Sequence, residues 1–316
     1  QLALEHSVGK TRVEQDLINA LPARYPQREP IDDQRGWNQD YVDAMRWIHK
    51  AYYGDLDVCT VFAEAILNLT PWKMWDLKTS RIANGAGTAE AQLVLETAFE
   101  EFSEAWKHPG LLHLYIHLME MSPFPQKALR AGDCLRELVP DAGHLIHMPT
   151  HIDVLCGQYS DVVVYNQKAI AADRKFLAEA GAMNVYSLYR THNHHFVIYG
   201  AMFLGQYGPA IRAAQELIDT TPDELLRVKS PPMADFIEGY LPMKQHVLIR
   251  FGKWEEIVTQ ELPEDQVLYC ATTAMMRYAR SVAHSAMGNV AEAAAEKEGF
   301  LAAKVKVPES RRVHNN

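Results

Sequence analysis

The sequence has few cysteines and no long apolar run. Its four cysteines among 316 residues match neither a zinc-binding nor a redox spacing, so we expect reduced thiols. No apolar stretch approaches the ~18–20 residues that a membrane helix needs. The first residues, QLALEHSVGK, lack a basic segment followed by an apolar one, so we expect no signal peptide. These absences predict a cytoplasmic protein that is not inserted in a membrane.

Basic charge and the common nucleotide and nucleophile motifs are also scarce. Lysine and arginine number 31 against 40 acidic residues, for a net charge of −9. Nucleic acids and anionic membranes favour clustered basic residues, so neither is an expected partner. The sequence has no phosphate-binding GxxxxGK loop, no GxGxxG after a strand and no GxSxG elbow.

Strand-like patterns are almost absent, and helical patterns dominate. Apolar residues recur with a 3.6-residue period in segments such as 91–106 and 160–180. Proline and glycine fall between such segments rather than within them. The sequence therefore predicts an all-α fold.

A short turn, with an amphipathic helix expected before and after it, recurs along the chain. Its copies begin at Gly54, Gly87, Pro123, Gly157, Gly205, Gly252 and Gly288. The intervals are 33, 36, 34, 48, 47 and 36 residues, and four of them lie near the 34-residue period of tetratricopeptide repeats. The two longer intervals indicate insertions near 177–190 and 223–240, which we expect to form loops or extra turns.

These turns resemble those of tetratricopeptide-repeat (TPR) proteins, most closely in the two GQY segments that begin at Gly157 and Gly205. Pro71, Pro140 and Pro222 stand where that family ends the second helix of a repeat. The resemblance implies an α-solenoid of about six to seven helical hairpins, forming one domain over residues 1–316. We expect the polar tail, about 304–316, to be frayed.

Histidine is concentrated in one region and in register with the turns. Nine of the 14 histidines lie between residues 108 and 195, where an even spread would place about four. Three consecutive turns, which begin at Pro123, Gly157 and Gly205, each have a histidine ten residues before them. The residues six positions before these turns are, in the same order, His117, His151 and Tyr199. The three histidines of the first level are His113, His147 and His195. By the resemblance, these positions face the concave groove of the solenoid.

Imidazoles at positions i and i+4 of a helix can bind one metal ion together, which makes region 108–199 a candidate metal site. The predicted ligands are His113, His117, His147, His151, His195 and Glu120. Glu120 is alternatively a general base, and Tyr199 is a candidate proton donor. Mostly imidazole ligands favour copper or iron, with zinc or manganese as alternatives, and permit one or two ions.

Other residues of this region are candidates for supporting the ligands or for contacting a substrate. The candidates are His108, His144, His192, Tyr115 and Tyr189. Aromatic and sulfur-containing side chains that could line a pocket are Trp72, Trp75, Tyr186 and Met148, together with the tyrosines already named. The alternative for each of these aromatics is ordinary packing between repeats.

Four segments resemble a narrower set of bacterial and fungal TPR proteins that carry histidine-rich segments. They are PWKMWDL, HPGLLHLYIHLME, AGHLIHMPTHI and THNHHF. Such proteins usually carry another N-terminal hairpin, so we expect a shortened or processed chain whose uncapped end forms a homodimer contact.

Three functions remain open. The first is a metal-dependent oxidoreductase, an oxygenase or oxidase, that acts on a small organic substrate in the groove. The second is a hydrolase or lyase at the same metal site, acting through a metal-activated water. The third is a peptide-binding adaptor without enzymatic activity, as the TPR resemblance alone would imply.

Overall fold

The computed structural model describes residues 2–29, 31 and 33–311. The chain divides into two compact units, Gln1–Val139 and Pro140–Asn316. Apart from one hairpin of two-residue strands, the regular structure of these described residues is helical. The predicted all-α class is confirmed, whereas the TPR solenoid and its extent as one domain stay predictions. Among the helices of the described part, none is both long and apolar enough to cross a membrane.

Unit 1 begins with four helices and continues with a β-hairpin and three further helices. The helices are α1 (Leu2–His6), α2 (Arg12–Arg24), α3 (Arg35–Ala51), α4 (Leu56–Leu67), α5 (Thr88–Glu101), α6 (Pro109–Met119) and α7 (Leu129–Leu135), with short 3-10 helices at Ser103–Lys107 and Pro125–Ala128. In the antiparallel hairpin, β1 (Trp75–Asp76) pairs with β2 (Arg81–Ile82).

The hairpin corrects one predicted turn. Gly87 was expected between two helices, but the segment before it contains β1 and β2, and Gly87 itself is the N-cap residue of α5. The indole nitrogen of Trp75 donates a hydrogen bond to the carbonyl of Leu118, which fixes β1 against the end of α6. The regular turn therefore does not recur at this position.

Unit 2 contains the remaining helices. They are α8 (Gly143–His147), α9 (Pro149–Cys156), α10 (Tyr159–Ala180), α11 (Ser187–Phe203), α12 (Tyr207–Asp219), α13 (Asp223–Leu226), α14 (Met233–Ile237), α15 (Met243–Arg250), α16 (Trp254–Thr259), α17 (Cys270–Ala286) and α18 (Val290–Lys304), with 3-10 turns at Glu238–Tyr240 and Glu309–Arg311. The predicted insertion 223–240 is thus built of short helical elements, and 177–190 comprises the end of α10, a loop and the start of α11.

The predicted turns at Gly157 and Gly205 end α9 and α11. Both glycines adopt left-handed backbone angles, with φ of 79° and 69°, and such angles are costly for residues with a Cβ. Gly54, Gly252 and Gly288 likewise separate consecutive helices. The glycine spacing therefore located helix ends correctly at these five turns.

Proline interrupts the helix that was expected to carry both His147 and His151. Pro149 has no amide proton to donate, so the segment divides into α8 and α9 around Met148. Met148 keeps right-handed helical angles, φ −52° and ψ −41°, so the two short helices follow nearly the same course.

A glycine in α11 allows that helix to pack closely against α10. Gly200 of α11 lies against α10, where a Cβ would come 3.0 Å from the Cγ1 of Val162. Val197 and Ile198 of the same helix are buried in the core of unit 2. Burial of such side chains contributes about 1.5–3 kcal/mol each, which holds α11 in a fixed rotation.

The predicted fraying of the tail is wrong as far as residue 311. The guanidinium of Arg311 donates to the carboxylate of Asp235 at 2.9 Å, to that of Glu238 at 3.3 Å and to the carbonyl of Leu268 at 2.7 Å. Glu238 is fully buried and also caps the start of α17 through the amide of Thr272. Residues 312–316 of the predicted tail lie outside the described residues.

Candidate metal centre

Three histidines of unit 2 converge from three helices. His147 is the last residue of α8, His151 lies on α9 and His192 lies on α11. One ring nitrogen from each lies within 4.8 Å of the other two, close enough for all three to hold one metal ion. His147 is fully buried, and the other two are half-buried. We call these residues the histidine triad.

The amide of Asn166 on α10 fixes the orientation of His147. The side-chain nitrogen of Asn166 donates to the Oγ1 of Thr150 at 2.9 Å and to the carbonyl of Val162 at 2.8 Å. The amide oxygen therefore faces the Nδ1 of His147 at 2.6 Å, and Nδ1 must carry the proton. The Nε2 of His147 is left with a lone pair, the state in which imidazole binds a metal ion.

The lone pair of His147 points at His151. Their Nε2 atoms are 2.8 Å apart, so the Nε2 of His151 donates a hydrogen bond to that of His147. Nitrogens bound to one tetrahedral ion at about 2.0–2.1 Å are about 3.3 Å apart. The two nitrogens would therefore have to lie further apart than 2.8 Å if both were to bind one ion.

An aromatic ring covers the triad. The Phe196 ring lies one turn after His192, with its centroid 4.6 Å from that of His147 and 4.8 Å from those of His151 and His192. An apolar cover excludes water from one side of the imidazoles and lowers the local dielectric.

Burial lowers the pKa of His147 well below its ordinary value, and the neighbouring rings of His151, His192 and His144 lower it further. The hydrogen bond with Asn166 opposes this shift. His147 therefore stays neutral at neutral pH and keeps its lone pair for a ligand role.

His195, a predicted ligand, lies outside the triad. Its ring centroid is 5.9 Å from that of His192 and 5.4 Å from that of Tyr240. Its Nδ1 is buried and has no hydrogen-bond partner among the described residues. Burial, aided by His151 and His246, lowers the pKa of His195 to about 4. His195 thus sits beside the triad rather than within it.

We expect stability to fall as the pH is lowered from about 6.5 to about 4. Unfolded histidine titrates near 6.5, so between these values the unfolded chain binds a proton that folded His195 excludes. This one residue should cost about 3 kcal/mol across that window, with no further loss from it below pH 4. Urea titrations at pH 7.5 and pH 5.0 measure the loss, which His195→Phe should reduce. An equal loss in the variant would contradict this assignment.

Two histidines of unit 2, His192 and His246, have a place in the site that differs from the one predicted. His192 was expected to support the site, yet it belongs to the triad in place of His195, because α11 turns the earlier residue toward α8 and α9. His246 on α15 influences His195 electrostatically and was not considered. His246 lies six residues before Gly252, the same offset from a turn that His117, His151 and Tyr199 have, so this offset would have identified it.

In unit 1 the structure brings together His113, His117 and Glu120. The rings of His113 and His117 on α6 are 4.6 Å apart between centroids, and the Nδ1 of His117 lies 2.8 Å from the Oε1 of Glu120. Glu120 therefore already forms a hydrogen bond or an ion pair with His117. That these three residues share a metal site with the histidines of unit 2 stays a prediction.

Two supporting residues proposed in unit 1 have other structural roles. His108 is the N-cap of α6: its Nδ1 accepts from the amide of Leu111, and its Nε2 lies 3.0 Å from Asp57. Tyr115 is buried and donates to Glu96 at 2.9 Å. Both side chains are thus committed to local contacts.

The predicted pocket-lining residues are dispersed. Met148 is fully buried, Trp75 belongs to the β-hairpin, Trp72 is exposed, and Tyr186 donates to the buried Asp173 at 2.8 Å. Only some of the tyrosines lie near histidines. The ring centroid of Tyr189 is 4.6 Å from that of His144, and that of Tyr199 is 6.3 Å from that of His195.

A scan against protein-family models, a search of curated proteins and a search of solved structures found no match to this chain. These comparisons therefore neither support nor contradict the TPR resemblance.

Proposed function

We propose that the histidine triad binds one transition-metal ion and that the protein is a metal-dependent enzyme, an oxidoreductase acting on a small organic substrate. The main support is the convergence of three ring nitrogens within 4.8 Å, one of them held in the metal-binding tautomer by a buried amide. A histidine ligand oriented through its second nitrogen is a recurring property of metal sites. Three protein ligands leave a coordination position for water or substrate.

The ligand set favours copper among the redox-active metals. Imidazole suits copper, zinc and iron, but non-haem iron oxygenases combine two histidines with a carboxylate. The triad consists of three imidazoles and contains no carboxylate. Copper bound to imidazole can change oxidation state, which an oxidase or oxygenase requires.

Hydrolysis or lyase chemistry at a zinc ion is the second candidate. Three imidazoles with an open fourth position also form the zinc site of carbonic anhydrase, where the metal lowers the pKa of bound water. The buried, neutral His147 suits zinc as well as copper. The two functions differ in the metal that the protein retains and in whether the reaction oxidises the substrate.

Elemental analysis of protein purified without a histidine tag and without chelator tests the proposal. We expect about one equivalent of metal per chain bound by the triad, since three ligands hold one ion. Copper would support oxidative chemistry, whereas zinc would favour the hydrolase or lyase. A protein that retains no copper, zinc, iron or manganese after reconstitution would contradict the metal site and favour a peptide-binding adaptor.

A further inference from the structure

A cavity of about 230 Å³ lies in unit 2 between α17 and α18, in a part of the unit that the metal proposal does not use. Its α18 wall is made of the small residues Gly299, Ala302 and Ala303, and the side chain of Arg277 lies against Gly299. The lining comprises Gln266, Val267, Cys270, Thr273, Arg277, Gly299, Ala302, Ala303 and Lys306. An engineered cavity of about 150 Å³ is large enough for benzene. This one is therefore large enough for a chain of about six carbons.

Thr273 contributes a buried hydroxyl without a partner. The residue is only 3% exposed, and its Oγ1 makes no hydrogen bond within the described part of the chain. Other helical threonines, such as Thr60 and Thr259, donate to the carbonyl four residues earlier. Buried polar atoms are nearly always hydrogen-bonded. The free hydroxyl of Thr273 at the cavity therefore indicates a ligand that accepts a hydrogen bond.

The charges around the cavity favour an anion. Arg277 and Arg280 share one carboxylate, that of Glu296, at 3.1 Å and 3.4 Å. Lys306, on the cavity wall, has no ion-pair partner among residues 33–311 or the described residues before them. These four side chains carry an excess of two positive charges in a chain of net charge −9. Such a local excess attracts small anions.

We propose that this cavity binds a small monocarboxylate with an apolar chain. The carboxylate accepts a hydrogen bond from Thr273 and is neutralised by Lys306 and the arginine pair. The chain packs against Val267, Ala302 and Ala303. The site is independent of the histidine triad, because none of its lining residues belongs to the metal centre.

Isothermal titration of the full chain with hexanoate tests the proposal, with 1-hexanol and acetate as matched probes. We expect hexanoate to bind at least tenfold more tightly than either probe, because hexanoate alone has both a six-carbon chain and a carboxylate. Hexanoate should also raise the unfolding temperature. Binding of hexanol as tight as that of hexanoate, or no binding of hexanoate, would overturn the proposal.

Variants of the hydroxyl and of the charge test the two contacts separately. Thr273→Val keeps the shape of the side chain and should weaken hexanoate binding about tenfold or more, whereas Thr273→Ser should retain it. Lys306→Met should weaken binding and reduce its dependence on salt. Thr259→Val, at a threonine bonded to its own helix, is the control and should bind normally. Unchanged binding by Thr273→Val would exclude the proposed site, whatever metal the triad holds.

Discussion

Replacing His151 by alanine is expected to lower the affinity for the metal ion by more than about 100-fold. The Nε2 of His151 lies 2.8 Å from that of His147, so its loss removes a ligand from the centre of the proposed site. His151 is only half-buried, and truncation at that position should leave the fold intact. Competition with a chromophoric chelator measures the affinity of the variant and of the wild type.

Two further variants complete the test of the triad as the metal site. His192→Ala should weaken binding to a similar degree, because it removes the third nitrogen of the triad. His284→Ala is the matched control, since His284 lies on α17, where it contacts Asn289. An affinity of His151→Ala within threefold of the wild type would contradict the triad as the metal site.

Asn166→Leu is expected to destabilise the protein by about 2–4 kcal/mol and to weaken metal binding about 10–100-fold. The substitution leaves the Nδ1 proton of His147 buried without an acceptor, and it removes the donor to Thr150 and Val162. It also frees His147 to adopt the other tautomer, whose Nε2 lone pair is lost. Urea unfolding measures the first effect, and chelator competition measures the second.

Thr150→Val separates the two effects of Asn166. It removes the hydrogen bond from Asn166 to Thr150 and the one from Thr150 to the carbonyl of His147, but leaves the contact between Asn166 and the ring of His147. We expect a loss of stability of about 1–2 kcal/mol with metal affinity close to that of the wild type. If Thr150→Val and Asn166→Leu lowered the metal affinity equally, the effect would come from a general loss of local structure rather than from the tautomer of His147.

Local sequence patterns predicted the helical class and many helix ends. The run 160–180 matches α10, and Gly157 and Gly205 end the helices before them. Both features depend on neighbouring residues alone, through apolar periodicity and the left-handed angles that glycine allows. The β-hairpin at Trp75–Asp76 and Arg81–Ile82 was missed, because strands of two residues are too short to show an alternating pattern.

The candidate site was predicted in part. His147 and His151 were identified from their spacing of four residues, and the structure places them in contact. His195 was one of the further predicted ligands, but the rotation of α11 brings a ring nitrogen of His192 within 4.8 Å of those of His147 and His151. That rotation is set by the burial of Val197 and Ile198 in the core of unit 2. Spacing along one helix does not reveal which residue faces another helix.

The sequence by itself determined the all-α class, the positions of several turns and the region where the histidines concentrate. These properties depend on short-range periodicity, on glycine and on composition. The tertiary structure decided which imidazoles converge, that Asn166 sets the tautomer of His147, and that Thr273 and Lys306 border one cavity. Each of these results requires residues distant in sequence to come within a few ångströms. Such contacts follow from the packing of whole helices, which local patterns do not specify.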